Sequence, residues 1–135
     1  MKKLLLFALL VFNFGFSQED AWVYFNDKPD VAFYLSNPLQ MLSQRALDRR
    51  TSQGIILDNT DVPIAQTYID QVTAATGITV MAKSKWLNAL HVKGTQADIQ
   101  LLTNLPFVNH IQFANTSLNS RHSNTIQKTT VIQPV

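Results

Sequence analysis

Three observations predict an α+β fold, in which an antiparallel sheet carries its helices on one face. Four short runs are rich in β-branched and aromatic residues, which is typical of strands. Between these runs lie segments whose apolar residues recur with helical spacing. Glycine, proline and asparagine separate the two kinds of segment, and their order along the chain is strand, two helices, hairpin, helix and strand.

The first strand is expected at Ala21–Phe25, because this run ends at the turn-forming sequence Asn26–Pro29. A first helix is expected to begin at Asn37-Pro38 and to end at Gly54, a residue that commonly terminates helices. Four apolar positions recur at helical spacing within it: Leu39, Leu42, Ala46 and Leu47.

A second helix is expected after Asp61, which would cap it, with Pro63 close to its start and Gly77 at its end. Its buried stripe would consist of Ile64, Tyr68, Ile69 and Val72. A hairpin follows, because the β-prone runs Ile78–Ala82 and Leu90–Val92 lie on either side of a turn region.

Thr95 should cap a third helix, which Pro106 would terminate. Its apolar positions are Ala97, Leu102, Leu105 and either Ile99 or Leu101. The last strand would be Phe107–Phe113. With the extra first helix set aside, this order of elements is the split βαβ pattern of a ferredoxin-like fold.

The first 17 residues have the features of a secretory signal peptide. Lys2 and Lys3 precede the apolar stretch Leu4–Phe12, and the small residues Gly15 and Ser17 precede a polar segment. A membrane anchor is the alternative, but a helix that spans a bilayer needs about 20 apolar residues. We therefore place the cleavage after Ser17, and expect a secreted or periplasmic protein without a membrane partner.

Charge and cysteine content exclude several kinds of partner and site. Without Lys2 and Lys3, nine basic residues remain against nine acidic ones, so no positive surplus is left to bind nucleic acid. The chain has no cysteine, which excludes disulfides and thiolate metal sites.

The sequence carries no motif that indicates catalysis by this chain. Neither a Gly-x-Ser-x-Gly elbow nor the Asp, His and Ser motifs of a subtilisin are present. His91, His110 and His122 are too far apart in sequence to form a metal motif, and the isolated glycines form no phosphate loop. We expect no catalytic residues, no metal and no cofactor.

Alternation along the strands assigns each side chain to one face of the sheet. The inner face would carry Val23, Phe25, Leu90, Val92, Ile111 and Phe113. The outer face, called the open face below, would carry Trp22, Tyr24, His91, His110 and Gln112. This mixture of aromatic and polar side chains is typical of an interface. Alternatively, a loop at Asp30–Ser36 covers Trp22 and Tyr24.

The segment Ala82–Val92, followed by a helix and by Leu105–Val108, resembles the pro-regions of secreted bacterial subtilisin-like serine proteases, or subtilases. Three further pieces agree: Pro38–Leu39 with Arg45–Arg50, Asp61–Ile64, and the Ser17-Gln18 junction, which is common in exported proteins of gliding-type bacteria. The likeness extends over Ala21–Phe113, which is nearly all of the foldable chain.

The resemblance implies a pro-region domain at residues 18–114 that is an intramolecular chaperone and a temporary inhibitor of a subtilisin-like catalytic domain. The open face would dock on that domain, and a flexible tail at residues 115–135 would enter its active-site cleft. The cleft-binding residues would be Asn115, Thr116, Ser117, Leu118 and Asn119, of which Leu118 alone could fill a hydrophobic pocket.

Two other functions remain open at this point. The chain could be a separately encoded secreted inhibitor, or a ferredoxin-like binding module unrelated to proteolysis. Because the tail continues for a dozen or so residues after the expected cleft segment, we favour a pro-region cut from a longer precursor.

Overall fold

The computed structural model describes residues 17–119. Within them, four strands form one antiparallel sheet: β1 (Gln18–Phe25), β2 (Thr79–Ser84), β3 (Ala89–Thr95) and β4 (Val108–Phe113). Their order across the sheet is β2-β3-β1-β4, so β1 and β3 are central and β2 and β4 are the edges. This arrangement confirms the α+β class and is consistent with the predicted ferredoxin-like fold.

Four α-helices and three 3-10 turns accompany this sheet in the described residues. The α-helices are α1 (Val31–Ser36), α2 (Gln44–Gln53), α3 (Gln66–Thr73) and α4 (Gln96–Leu101). The 3-10 turns are Pro38–Gln40, Leu102–Asn104 and Thr116–Leu118. Of the helices, α3 and α4 supply the buried residues Val72 and Ile99, whereas α1 and α2 have none.

The predicted start of the first helix, at Asn37-Pro38, is wrong. The structure has α1 before this segment, where a loop was expected, and α2 begins only after Ser43. Ser43 ends the preceding turn because its hydroxyl accepts a hydrogen bond from the backbone N–H of Ala46, which makes it an N-cap. Leu39 therefore lies outside the helix and is 61% exposed. The predicted end is confirmed, since Gly54 has a left-handed φ of 66°.

Asp61 was predicted to cap the second helix, and this is also wrong. α3 begins at Gln66, after Ala65, and no side chain caps it. Asp61 is instead buried, only 3% exposed, and forms an ion pair with Arg50 of α2, whose Nη1 lies 3.0 Å from its Oδ2. The carboxylate bonds Arg50 and the backbone N–H of Asp58, so it joins α2 to the segment that precedes α3.

The inner face of the sheet is confirmed as the core. Five of its six predicted residues are buried, and Ile111 packs against them. The buried five are Val23, Phe25, Leu90, Val92 and Phe113. The stripe of α3 is confirmed in the same way, since Ile64 and Val72 are buried and Tyr68 and Ile69 pack against the core.

The predicted cap of the third helix is confirmed, and the structure shows which of Ile99 and Leu101 is buried. The Thr95 hydroxyl accepts from the backbone N–H of Asp98 at 3.2 Å, which starts α4. Ile99 and Leu102 are buried, whereas Leu101 is 63% exposed. Ile99 is therefore the residue that faces the sheet.

Lys28 ties the segment before α3 to the β2–β3 hairpin. Its ammonium donates to the carbonyl oxygens of Asn59, Val62 and Lys85, at 2.7, 2.7 and 2.6 Å. Burial, together with the nearby charge of Lys85, lowers the pKa of Lys28. Lys28 therefore stabilises the part of the chain around α1 and α2, the two helices that contribute no buried residue to the core.

Candidate docking face and tail segment

The sheet brings the five predicted open-face residues together on the side opposite the buried core. Trp22 of β1 lies directly between His91 of β3 and Gln112 of β4. Tyr24, two residues further along β1, lies opposite His110 of β4. All five side chains are half-buried or exposed, as their alternation with buried neighbours requires.

Contacts between the rings of neighbouring strands hold the side chains of the open face in place. The rings of Tyr24 and His110 are stacked, with centroids 4.3 Å apart and planes inclined by 8°. The rings of Trp22 and His91 have centroids 5.3 Å apart. The Tyr24 hydroxyl also donates to Oε1 of Gln112 at 3.2 Å. The ring contacts of Trp22 and Tyr24 are thus with residues of the neighbouring strands. The segment Asp30–Ser36, which was expected to be a loop, contains α1.

Asp20 is a member of this surface that the sequence analysis missed. Its Oδ1 lies 3.2 Å from Nε2 of His91, on the neighbouring strand. β1 begins at Gln18, three residues before the predicted start. Asp20, Trp22 and Tyr24 alternate along β1 and share one face, so a longer strand would have included Asp20.

A chain of polar side chains next to the open face was missed as well. The Asn26 side chain donates to the carbonyl oxygen of Pro106 at 3.0 Å, and Asn109 donates to Asn26 Oδ1 at 2.9 Å. Asn109 Oδ1 lies 2.7 Å from Nδ1 of His110. Asn26 follows β1 and Asn109 belongs to β4, so only the pairing of these strands brings the chain together.

The predicted cleft segment, Asn115–Asn119, is folded back on the end of β4. Its residues Thr116–Leu118 form a 3-10 turn, and Asn115 Oδ1 accepts from the N–H and the hydroxyl of Ser117. Leu118 packs against the core, and the Asn119 amide bonds the backbone of Phe113. The remainder of the predicted tail, residues 120–135, lies outside the described residues, as do residues 1–16 of the predicted signal peptide.

Residues 17–119 contain neither a membrane-spanning helix nor a cluster of metal ligands. No helix there is both long and apolar enough to cross a membrane. Nor does this part of the chain gather three or more acidic, histidine or cysteine side chains that could hold a metal ion.

Comparison with protein families supplies the observation that decides the identity of the domain. The family described as Peptidase S8 propeptide domain, Bacteroidota, matches residues 20–130, which is most of the 135-residue chain. The chain belongs to this propeptide family. The search of curated proteins and the search of solved structures gave no match.

The protein is therefore a pro-region of the subtilase kind, as the sequence resemblance implied. A propeptide domain is not itself catalytic, and its family points to a subtilisin-like peptidase as the precursor. The match includes the open face and the segment that folds back on β4, and it continues beyond Asn119.

Proposed function

We propose that this pro-region is an intramolecular chaperone and temporary inhibitor of a subtilisin-like catalytic domain, on which its open face docks. The observation that carries the proposal is the arrangement of aromatic and imidazole rings on that face. Two aromatic–imidazole pairs, tilted Trp22–His91 and stacked Tyr24–His110, stand side by side on the face of the sheet opposite the buried core.

This surface has the physical properties of an interface. Aromatic rings bury a large area for little loss of side-chain entropy, and their polar atoms still find partners when water is removed. The rings of Trp22 and Tyr24 are already held by cross-strand contacts, so docking would immobilise few further rotatable bonds. A preformed surface of this kind can select the native arrangement of the partner during folding, because any partner that binds only the folded state stabilises it.

The segment Asn115–Asn119 is proposed as the part that enters the active-site cleft. An extended segment adds to the strands of a cleft through main-chain hydrogen bonds, while its side chains fill subsites. Leu118 is the large apolar side chain available for a hydrophobic subsite, and it is half-buried in the free domain. Entry into the cleft requires this segment to leave the end of β4 and to become extended.

We further propose that residues 1–17 are a signal peptide and that the pro-region acts after export. The two lysines, the apolar stretch and the small residues before Gln18 support this proposal. N-terminal sequencing of the exported chain tests this proposal, and the first residue should be Gln18. A chain that keeps Met1 after export would contradict it.

The experiment that tests the proposed function uses a Bacteroidota peptidase of the S8 family and the purified pro-region. The pro-region should inhibit hydrolysis of a peptide substrate and should accelerate the refolding of the denatured peptidase. Trp22→Ala should weaken inhibition at least tenfold, as expected for a central aromatic residue of an interface. Gln71→Ala, an exposed change on α3, is the matched control and should leave inhibition unchanged. Inhibition that is equal in the two variants would contradict docking by the open face.

A further inference from the structure

The carbonyl oxygen of Pro106 fixes the orientation of a relay of three side chains, Asn26, Asn109 and His110. A carbonyl only accepts hydrogen bonds, so Asn26 must turn its Nδ2 toward Pro106, at 3.0 Å. The oxygen of Asn26 then faces Asn109 and also only accepts. Asn109 therefore turns its own Nδ2 toward Asn26, at 2.9 Å, and leaves its Oδ1 facing the imidazole.

This orientation decides which nitrogen of His110 carries the proton. Asn109 Oδ1 lies 2.7 Å from Nδ1 of His110, and an amide oxygen has no proton to give. Nδ1 must therefore be the donor. In a neutral imidazole only one nitrogen carries a proton, so Nε2 of His110 holds a free lone pair.

The free lone pair lies on the open face. Nε2 is on the side of the ring away from Asn109, and the stacked ring of Tyr24 holds the imidazole plane, with centroids 4.3 Å apart. His110 is an exposed residue, and across residues 17–119 its recorded side-chain hydrogen bond is the one made by Nδ1. An acceptor of known position is thus directed at whatever covers this face.

We propose that His110 Nε2 is a hydrogen-bond acceptor for the docked catalytic domain, whose surface offers a donor at this point. This inference rests on the proposed function, and it deepens that function by naming the chemistry of the contact. Asn26 and Asn109 are positioning residues in this scheme, because they act through the tautomer of His110 and need not touch the partner. A neutral acceptor on the partner at this point would place its lone pair against that of Nε2, and a carboxylate would require the imidazole to take up a second proton.

The tautomer is tested first, without any partner, on the full chain labelled with 15N at histidine. At a pH at which His110 is neutral, its resonances should show a protonated Nδ1 and an unprotonated Nε2. A His110→Gln variant assigns these signals among the three histidines. Asn109→Ala and Asn26→Ala should each shift the ring toward the other tautomer, whereas Asn104→Ala, an exposed change outside the relay, should not. A wild-type ring protonated at Nε2 would overturn the relay.

The contact is tested by the affinity for a Bacteroidota S8 peptidase whose catalytic serine is replaced by alanine. Asn109→Ala should weaken binding about three- to tenfold, the range expected for one hydrogen bond of about 1 kcal/mol. In a His110→Ala background the same change should have no effect, because its route through the imidazole is gone. An Asn109→Ala effect that persists without His110 would show a structural role and overturn the proposal.

The outcomes separate this proposal from the proposed function. If the wild-type chain does not bind the peptidase, the proposed function fails and the docking contact fails with it, whereas the tautomer result stands. If the wild type binds but His110→Ala binds equally well, the proposed function survives and the acceptor role is wrong. In the second case Asn104→Ala is the control, and its affinity should equal that of the wild type.

Discussion

The side chain of Asn119 bonds both backbone polar groups of Phe113. Its Oδ1 accepts from the Phe113 N–H at 2.6 Å, and its Nδ2 donates to the Phe113 carbonyl oxygen at 3.1 Å. The next N–H, that of Ala114, donates to Asp20 of β1, so the peptide groups of Phe113 point away from β1. Because β4 is an edge strand, the amide of Asn119 occupies the place that a further strand would take.

Asn119→Ala should therefore free the end of β4 and the segment that follows it. We expect the amide hydrogen of Phe113 to exchange with solvent several-fold faster, and the domain to lose about 1 kcal/mol of stability. If Asn115–Asn119 enters the cleft, the same change should strengthen inhibition of the peptidase, because the folded-back state no longer competes with binding. Weaker inhibition would show instead that the bond persists in the complex and positions the tail. Asn104→Ala is the control for both measurements.

Glutamine introduced at two adjacent positions of β3 should have opposite consequences. Leu90 is 0% exposed in the core, so Leu90→Gln should cost about 3 to 5 kcal/mol, since it removes apolar contacts and buries an amide. This is a large part of the stability of a domain of this size. His91→Gln lies on the open face and should change stability by less than about 1 kcal/mol. Urea denaturation of both variants is the measurement, and similar losses would contradict the assignment of the two faces.

Loss of one partner of the ion pair between Arg50 and Asp61 should destabilise the domain more than loss of both partners. Arg50→Met leaves the buried carboxylate of Asp61 without its cation, and should cost about 2 kcal/mol, below the range for a fully buried pair because Arg50 is partly exposed. The double variant Arg50→Met with Asp61→Leu should be more stable than the single one. A double-mutant cycle measured by denaturation checks this, and additive losses would contradict coupling.

The stability contributed by the Tyr68 hydroxyl should decrease at alkaline pH. Burial, and then the hydrogen bond to Asp27 at 2.8 Å, raise the pKa of Tyr68 above its value in the unfolded chain. The folded state then holds this proton more tightly, so the contribution is complete below the unfolded pKa of about 10 and is lost as the pH rises through the folded pKa. The stability difference between wild type and Tyr68→Phe should be constant up to about pH 9 and should shrink as the pH rises above about 10. A constant difference would contradict the assignment.

Features that depend on neighbouring residues could be predicted from the sequence. The two faces of the sheet follow from the alternation of Val23 with Trp22 and of Leu90 with His91, because successive side chains of a strand point to opposite sides. The cap at Thr95 and the stop at Gly54 are local as well, since each depends on bonds or dihedral angles within one turn. The family resemblance rested on the order of such elements.

The two wrong helix starts have different causes, since one lies in a contact between separate segments and the other in a local cap. Asp61 has the position of a capping residue in the sequence, yet Arg50 holds it in an ion pair. The helix expected from Pro38 onward is divided at Ser43, whose hydroxyl starts a new helix, and the apolar Leu39 is left exposed. Apolar spacing alone could not show this division, because over so few residues the period of a 3-10 turn, about 3 residues, is hard to tell from the α-helical period of about 3.6.

The sequence by itself determined the class of the fold, the inner and outer faces of the sheet, and membership of the pro-region family. Only the tertiary structure decided that Asn26 and Asn109 orient His110, and that Asn119 occupies the edge of β4. Each of these contacts depends on the distance and direction between atoms that strand pairing or chain reversal brings within 3 Å. Spacing along the chain carries the period of a strand or a helix, but it does not carry that geometry.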